Sequence, residues 1–161
     1  MPLSSQLAEM IRQKLDEVAN EIYNGVEIET LRPLLELQGR WSIVPKNDQI
    51  LIESLKSAEG YHLFFYPFEG RAVHEVLAAL IAFRISKIEP ISFSIAMNDY
   101  GFELLSDKEI PLEEALEIDL FTMDRLLEDI NNSINGTEMA RRKFRDIASI
   151  AGLIFMGYPG K

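Results

Sequence analysis

The clearest hydrophobic pattern of the chain lies near its middle. Tyr61 to Tyr66 is an almost wholly apolar run bounded by Gly60 and Pro67, which is typical of a strand in the middle of a sheet. From Arg71 onwards, apolar residues recur at intervals of three and four as far as Ile88, with small alanines between them. This pattern predicts a helix, and a helix this apolar is expected to be central and largely covered.

Two residues of this segment are predicted to have structural roles. Gly70 breaks the chain between the strand and the helix. Arg84 falls inside the apolar arc of Val73, Leu77 and Leu80 when residues are placed about 100° apart. A buried cation is costly unless it is paired, and positive charge is favoured near a helix C-terminus. We therefore expect Arg84 to be buried and to bind a carboxylate or backbone carbonyls.

Two amphipathic patterns precede this segment. The first predicts a helix from Leu3 to Tyr23 that Gly25 ends. The second predicts a shorter helix from Thr30 to Arg40, with Thr30 as its N-cap and Pro33 near its first turn. Helices therefore come before the first strand.

The strand patterns predict two hairpins. Gln49 to Lys56 reads as a strand that a short turn joins to the Tyr61 strand. From Ile91 to Met97 apolar and small or polar residues alternate, and Phe102 to Leu105 is the returning strand after the loop at 98–101.

The remaining patterns are helical. Pro111 is placed to open a helix at Leu112, a further helix is predicted from Thr122 to Ile134, and a last one from Thr137 to Phe155. Paired hairpins around a covered helix, with flanking helices, predict an α+β fold with an antiparallel sheet. The length of 161 residues suits one domain, which we expect to span residues 1–161.

The acidic residues of the chain are concentrated in one segment. The formal net charge is −10, which taken alone argues against nucleic acid. Between Glu103 and Asp129, however, ten acidic residues stand against two basic ones, so the rest of the chain is nearly balanced. The sequence has no cysteine, no apolar run of membrane-spanning length and no signal segment, from which we expect a cytoplasmic protein without a membrane partner.

The residues that carry catalysis are few. Without cysteine and with two histidines, the sequence excludes thiol chemistry and cysteine-bearing zinc sites. His74-Glu75 begins like a metalloprotease helix, but Ala78 stands where the second histidine belongs. No phosphate-loop spacing occurs. The sequence predicts no catalytic residue, no metal ligand and no enzyme activity for this chain by itself.

Binding residues are better represented. Trp41 is the only tryptophan, and Arg40 and Lys46 lie close to it in the sequence. Together they suit a stacked base and its phosphate. The alternative is a tryptophan at a helix end that packs on the core.

Two basic segments are further candidates for nucleic-acid binding. Gly70-Arg71 lies at a strand-to-helix turn, where free backbone N–H groups can bind a phosphate; alternatively the glycine serves only the bend. Arg141, Arg142 and Arg145 lie in the first turns of the last predicted helix, where the helix dipole disfavours positive charge. They suit a phosphate or a partner domain, or alternatively form a solvated face on the acidic segment.

Four runs of the chain carry a family resemblance. They are LELQGRWS, EGYHLFFYPFEGRAVHEVLAALIAFRISK, PISFSIAMNDYGFELLS and ARRKFRDIASIAGLIFMGYPGK. In order and spacing the chain from Val26 to Lys161 resembles the C-terminal DEAD/H-associated region of the large helicase-related family, especially its ligase-associated DEXH-box branch. The first 25 residues match this region less clearly.

The resemblance implies a function that the composition does not show. It implies a fragment, or a separately expressed domain, of an ATP-dependent 3′-to-5′ DNA helicase of DNA repair, with a fold similar to secretion chaperones. Such a domain contacts the motor and winged-helix domains of the same polypeptide and helps to enclose single-stranded DNA or a DNA/RNA hybrid. ATP and magnesium would then belong to the motor domains, with no cofactor in this chain. The alternative is a purely structural or protein–protein interaction module.

Overall fold

The structure is a computed structural model, and it describes residues 3–136. The elements alternate between helices and antiparallel hairpins. In chain order they are α1 Ser5–Ala19, α2 Val26–Trp41, β1 Leu51–Lys56, β2 Tyr61–Tyr66, α3 Arg71–Ile88, β3 Ser94–Met97, β4 Phe102–Ser106, α4 Leu112–Glu117 and α5 Leu126–Gly136. This is an α+β fold, as the sequence predicts.

The four strands form one antiparallel sheet in the order β1-β2-β4-β3. Each predicted hairpin forms, and the two join where β2 pairs with β4. The prediction that the Tyr61 strand lies inside the sheet is confirmed, because β2 has a partner on both sides. Phe64 stands in register with Glu53 on β1 and Glu103 on β4.

The main hydrophobic core lies between one face of the sheet and α3. Leu63 and Phe65 on β2 meet Ile81 and Ile85 on α3, and all four are fully or almost fully buried. The rings of Phe65 and Phe102 stack with their centroids 4.8 Å apart. The predicted helix is therefore central and largely covered, as expected from its composition.

One part of the predicted apolar arc is wrong. Val73, which belongs to this arc, is exposed near the start of α3, whereas His74 is completely buried. His74 accepts the N–H of Glu69 at 3.1 Å, and its other ring nitrogen lies 2.8 Å from the carbonyl of Asn98. These hydrogen bonds to loop groups accompany an inward-facing histidine in the first turn of α3.

The first two helices pack around a smaller cluster. Val18 on α1, Ile28 on α2 and Val44 in the following loop are its buried members. Arg12 of α1 forms an ion pair with Glu69, and Asp16 of α1 accepts the N–H of Asn47. Polar contacts therefore contribute to fastening α1 to the rest of the fold.

The predicted boundaries of these helices need correction. Helix α1 ends at Ala19, because Asn20 caps it and Glu21 has a positive φ of 62°. Gly25, with φ of 103°, is the N-cap of α2 instead of the end of α1. Thr30 is not a cap but an interior residue whose hydroxyl donates to the carbonyl of Val26 at 2.7 Å.

Two consequences follow for α2. Pro33 lies well inside the helix instead of in its first turn. The early start places Glu27 and Glu29 in the first turn, where carboxylates interact favourably with the helix dipole. The charge pattern therefore favours a helix that begins at Val26, four residues before the predicted start at Thr30.

The later helices differ from prediction in their starts. Helix α4 begins at Leu112 after Pro111, as predicted. Helix α5 begins at Leu126 and not at Thr122, because Arg125 has a left-handed φ of 56°. The predicted helix from Thr137 to Phe155 lies outside the described residues. Within those that are described, no helix is long and apolar enough to cross a membrane.

Candidate nucleic-acid interface

Trp41 is the last residue of α2, and its ring faces solvent. The residue is 82% exposed. Ser42 ends the helix with a backbone outside the helical region, while its N–H still donates to the carbonyl of Gln38 at 2.8 Å. The alternative that Trp41 packs on the core is therefore wrong. An exposed indole is available for stacking on a planar group such as a base.

Arg40 and Lys46 lie near this ring in the sequence, and both are exposed. Arg40 donates only weakly to the backbone, with its Nε 3.4 Å from the carbonyl of Glu36. The backbone N–H of Lys46 donates to the side-chain oxygen of Gln49 at 3.0 Å, which helps to fix the loop that carries Lys46.

These two cations differ from most others of the described chain. Arg12, Arg32 and Arg125 each pair with a carboxylate. Arg40 and Lys46 have no carboxylate partner among residues 3–136. Both charges therefore remain free to contact phosphates.

A cleft of about 480 Å³ lies beside Arg40, between the ends of α1 and α2. Its walls include Tyr23, Leu35 and Val44. Because the cleft combines an aromatic ring, aliphatic groups and an arginine, its chemistry suits a nucleoside as well as a protein side chain.

The predicted phosphate site at Gly70-Arg71 is only partly supported. Gly70 caps α3 with a φ of 87°, so the glycine serves the bend. The N–H of Arg71 is not free, since it donates to the carboxylate of Asp99 at 3.3 Å. That carboxylate places negative charge where a phosphate would bind. The side chain of Arg71 is exposed, and its contact with nucleic acid stays a prediction.

The structure relates these predicted residues through α1. Arg12 pairs with Glu69 beside Gly70, and Asp16 holds Asn47 beside Lys46. The two attachment points lie four residues apart, about 6 Å along the helix axis. The remaining predicted contacts, Arg141, Arg142 and Arg145, lie outside the described residues.

Arg84 forms a buried network between α3 and α5. It is 8% exposed, its Nε lies 3.0 Å from Asp129, and its Nη1 donates to the carbonyls of Leu120 and Thr122 at 2.8 and 2.9 Å. The predicted burial and pairing are thus confirmed. Lys87 donates to the second oxygen of Asp129 at 2.7 Å.

The electrostatic effect of this network falls on Asp129. The hydrogen bond from Lys87 is the main cause that lowers the pKa of Asp129 below its ordinary value, and the hydrogen bond from Arg84 adds to it. Desolvation opposes both. The carboxylate therefore stays charged and holds the two helices together.

Sequence reasoning missed a second polar group on the sheet. Ser57, His62 and Glu103 come from the first hairpin turn, β2 and β4, and hydrogen bonds join them in that order. His62 and Glu103 are 41 positions apart in the sequence, and no local pattern indicates their contact. Only the pairing of β2 with β4 brings His62 to Glu103.

The acidic segment lines a cleft of about 1110 Å³ in volume. Carboxylates of Asp107, Glu109 and Glu113 border it, together with Lys56 and Lys108. The excess of negative charge on this surface disfavours contact with nucleic acid.

The chain is similar to known helicases in part of their length. Residues 44–161 match the family described as DEAD/H associated. The chain is 30% identical, over 97% of its length, to the ATP-dependent helicase Lhr-Core of Methanocaldococcus jannaschii, of which it covers 18%. It is also 30% identical over 77% of its length to the ATP-dependent helicase Lhr-Core protein 2 of Thermococcus barophilus, of which it covers 14%.

A solved structure shares the fold. The structure of Mycobacterium smegmatis helicase Lhr bound to ssDNA and AMP-PNP matches all of this chain with a TM-score of 0.68 and 20% sequence identity. The chain covers 22% of that protein. It therefore spans about a fifth of the length of these similar proteins.

Proposed function

Because the chain belongs to the DEAD/H associated family, we propose that it is an accessory domain of an ATP-dependent 3′-to-5′ DNA helicase of DNA repair. In this role it helps to enclose single-stranded nucleic acid and braces the motor domains. The names of the similar proteins support the helicase assignment, since they are ATP-dependent helicases. The solved structure contains ssDNA, which supports the same class of ligand.

The observation that carries the proposal is the surface around Trp41. Leaving the apolar indole of Trp41 in contact with water is unfavourable in free energy. Its two basic neighbours, Arg40 and Lys46, lack carboxylate partners within the described chain. A ring for the base and cations for the phosphates are the two parts of a single-strand contact. We propose that Trp41 stacks on a base and that Arg40 and Lys46 contact the backbone, with Arg71, Arg141, Arg142 and Arg145 as further phosphate contacts.

The test uses the full-length helicase and labelled single-stranded DNA. Trp41→Ala should weaken binding by about 1–3 kcal/mol, while Trp41→Phe keeps a ring and most of the affinity. Leu34→Ala is the matched control, because Leu34 is also exposed and apolar on α2. Equal affinity of wild type and Trp41→Ala would contradict the stacking role.

The basic residues are tested by salt dependence. Arg40→Ala and Lys46→Ala should each reduce the slope of log affinity against log salt by about 1, since each removes one phosphate contact. Arg32→Ala is the control, because that arginine already pairs with Glu36 at 2.7 Å. An unchanged slope in both variants would remove these residues from the interface.

Catalysis of ATP hydrolysis is assigned to the motor domains of the parent. The purified 161-residue chain should neither hydrolyse ATP nor unwind DNA, because its sequence has no phosphate loop. DNA-stimulated ATP hydrolysis by a rigorously pure sample of this chain would overturn this assignment.

A second function is favoured by a different surface. Met123 and Leu127, before and within α5, are 76% and 77% exposed. Methionine is enriched in protein–protein interfaces relative to the rest of the protein surface. If DNA binding of the full-length helicase is unaffected by all the variants above, a purely structural or protein–protein interaction module is the better description.

A further inference from the structure

Three side chains on the sheet are arranged as a nucleophile, a base and an orienting acid. The Oγ of Ser57 lies 2.6 Å from the Nε2 of His62, and the Nδ1 of His62 lies 2.5 Å from a carboxylate oxygen of Glu103. The histidine is 8% exposed, whereas Ser57 lies in the exposed turn between β1 and β2. The protected base therefore contacts an accessible hydroxyl.

The direction of each hydrogen bond follows from the chemistry of the groups. A carboxylate only accepts, so His62 donates from Nδ1 to Glu103. In the neutral ring Nε2 then accepts the hydroxyl proton of Ser57. The N–H of Glu59 donates to the same hydroxyl oxygen at 3.0 Å, which leaves one lone pair of Oγ for attack on an electrophile.

The turn also offers a donor for a developing oxyanion. Ala58 directly follows Ser57 and is exposed. Its N–H has no hydrogen-bond partner among residues 3–136. In serine hydrolases the N–H of the residue after the nucleophile is one place where the oxyanion binds.

We propose that Ser57, His62 and Glu103 form an acyl-transfer site that hydrolyses carboxylic esters. This activity is independent of the proposed helicase role. Ser57 Oγ attacks the ester carbonyl carbon while His62 Nε2 takes the hydroxyl proton. The carbon–oxygen bond to the leaving group breaks, and its electron pair and the proton from His62 go to the departing alcohol. Water then attacks the acyl-serine, gives a proton through His62 back to Ser57, and releases the carboxylic acid.

The adjacent cleft restricts the class of ester. His62 lines the cleft of about 1110 Å³, whose walls carry six carboxylates and two lysines. The charged lining residues are Glu89, Asp107, Glu109, Glu113, Glu114, Glu117, Lys56 and Lys108. The excess of negative charge repels anions, so the site accepts neutral or positively charged esters in preference to acidic ones.

The experiment uses the 161-residue chain, with circular dichroism to show that each variant is folded. A fluorophosphonate probe reacts with activated serines, and mass spectrometry locates the labelled residue. Hydrolysis is followed with 4-nitrophenyl acetate, which is neutral, and with its negatively charged succinate analogue. We expect labelling at Ser57 and faster hydrolysis of the neutral ester.

Matched variants separate catalysis from structure. Ser57→Ala should abolish labelling and lower ester hydrolysis on the order of 100-fold or more. Ser94→Ala should leave both unchanged, because Ser94 is exposed on β3 of the same sheet and does not line the cleft. Glu103→Gln should lower the rate and alter its pH profile, which a purely structural role would not do. Absence of label at Ser57, or wild-type hydrolysis by Ser57→Ala, overturns the proposal.

Discussion

The region around α3 buries a charged side chain, whereas the end of α2 exposes a large apolar one. Around α3 the cation of Arg84 is buried and bonded to Asp129 and to two carbonyls. At the end of α2 the largest apolar side chain of the protein, Trp41, is exposed to solvent. Each placement is the reverse of what the residue type favours.

This contrast separates structural from functional residues in the protein. The buried cation is paired within the fold through its Nε and Nη1, while its Nη2 has no hydrogen-bond partner among the described residues. Removing one member of such a buried pair is costly because the other is left without its partner. The exposed ring and its basic neighbours are uncompensated among the described residues, and such surfaces find their partners outside the domain. The comparison predicts a large stability effect at Arg84 and small ones at Trp41 and Arg40.

The largest effect is expected at Arg84. Arg84→Ala removes the hydrogen bonds to Asp129, Leu120 and Thr122 and leaves buried acceptors without a donor. The free energy of unfolding should fall by about 3–5 kcal/mol, measured by chemical denaturation. Arg40→Ala is the control and should change stability by less than about 0.5 kcal/mol. Similar values for the two variants would break the comparison.

The two hydrophobic clusters give the next effect. Ile81 on α3 is 1% exposed in the main core, and Ile28 on α2 belongs to the cluster of three buried residues. Such substitutions usually lower the free energy of unfolding by about 2–5 kcal/mol. The loss should lie in the upper part of this range for Ile81→Ala and in the lower part for Ile28→Ala, because the smaller cluster can relax more easily. Thermal and urea unfolding of both variants would check this order, which a larger loss for Ile28→Ala would reverse.

A pH effect should accompany the buried network. The lowered pKa of Asp129 means that its contribution to stability is present above its unfolded pKa, about 4, and is lost as the pH falls through the folded pKa. Urea denaturation of wild type and Asp129→Asn between pH 6 and pH 2 should show a difference that shrinks below pH 4. A difference that stays constant with pH would show that the carboxylate charge contributes nothing.

The smallest stability effect is expected at Trp41. Trp41→Ala should change the free energy of unfolding by no more than about 0.5 kcal/mol, because little of the ring is buried. A lowering of the melting temperature comparable to that of Ile28→Ala would place the indole in the α1–α2 cluster, and would remove the contrast between the two regions.

The sequence was sufficient where a pattern repeats within one element. The bounds of β2 and the start of α3 agree with prediction because an aromatic run and a helical repeat are local properties. The predicted C-terminal end of α1 and the predicted start of α5 were wrong, because single left-handed residues, Glu21 and Arg125, follow the one and precede the other. Those conformations are imposed by their surroundings and leave no periodic signal in the chain.

By itself the sequence determined the α+β class, the two hairpins, the central helix and the burial of Arg84, since periodicity and the cost of an unpaired charge act wherever the chain folds. It left Trp41 between core and surface, because a helix end has the same pattern in both cases. Only the tertiary structure exposed that ring. Only the pairing of β2 with β4 brought Glu103 to His62, because these two strands are far apart in the sequence and no local pattern joins them.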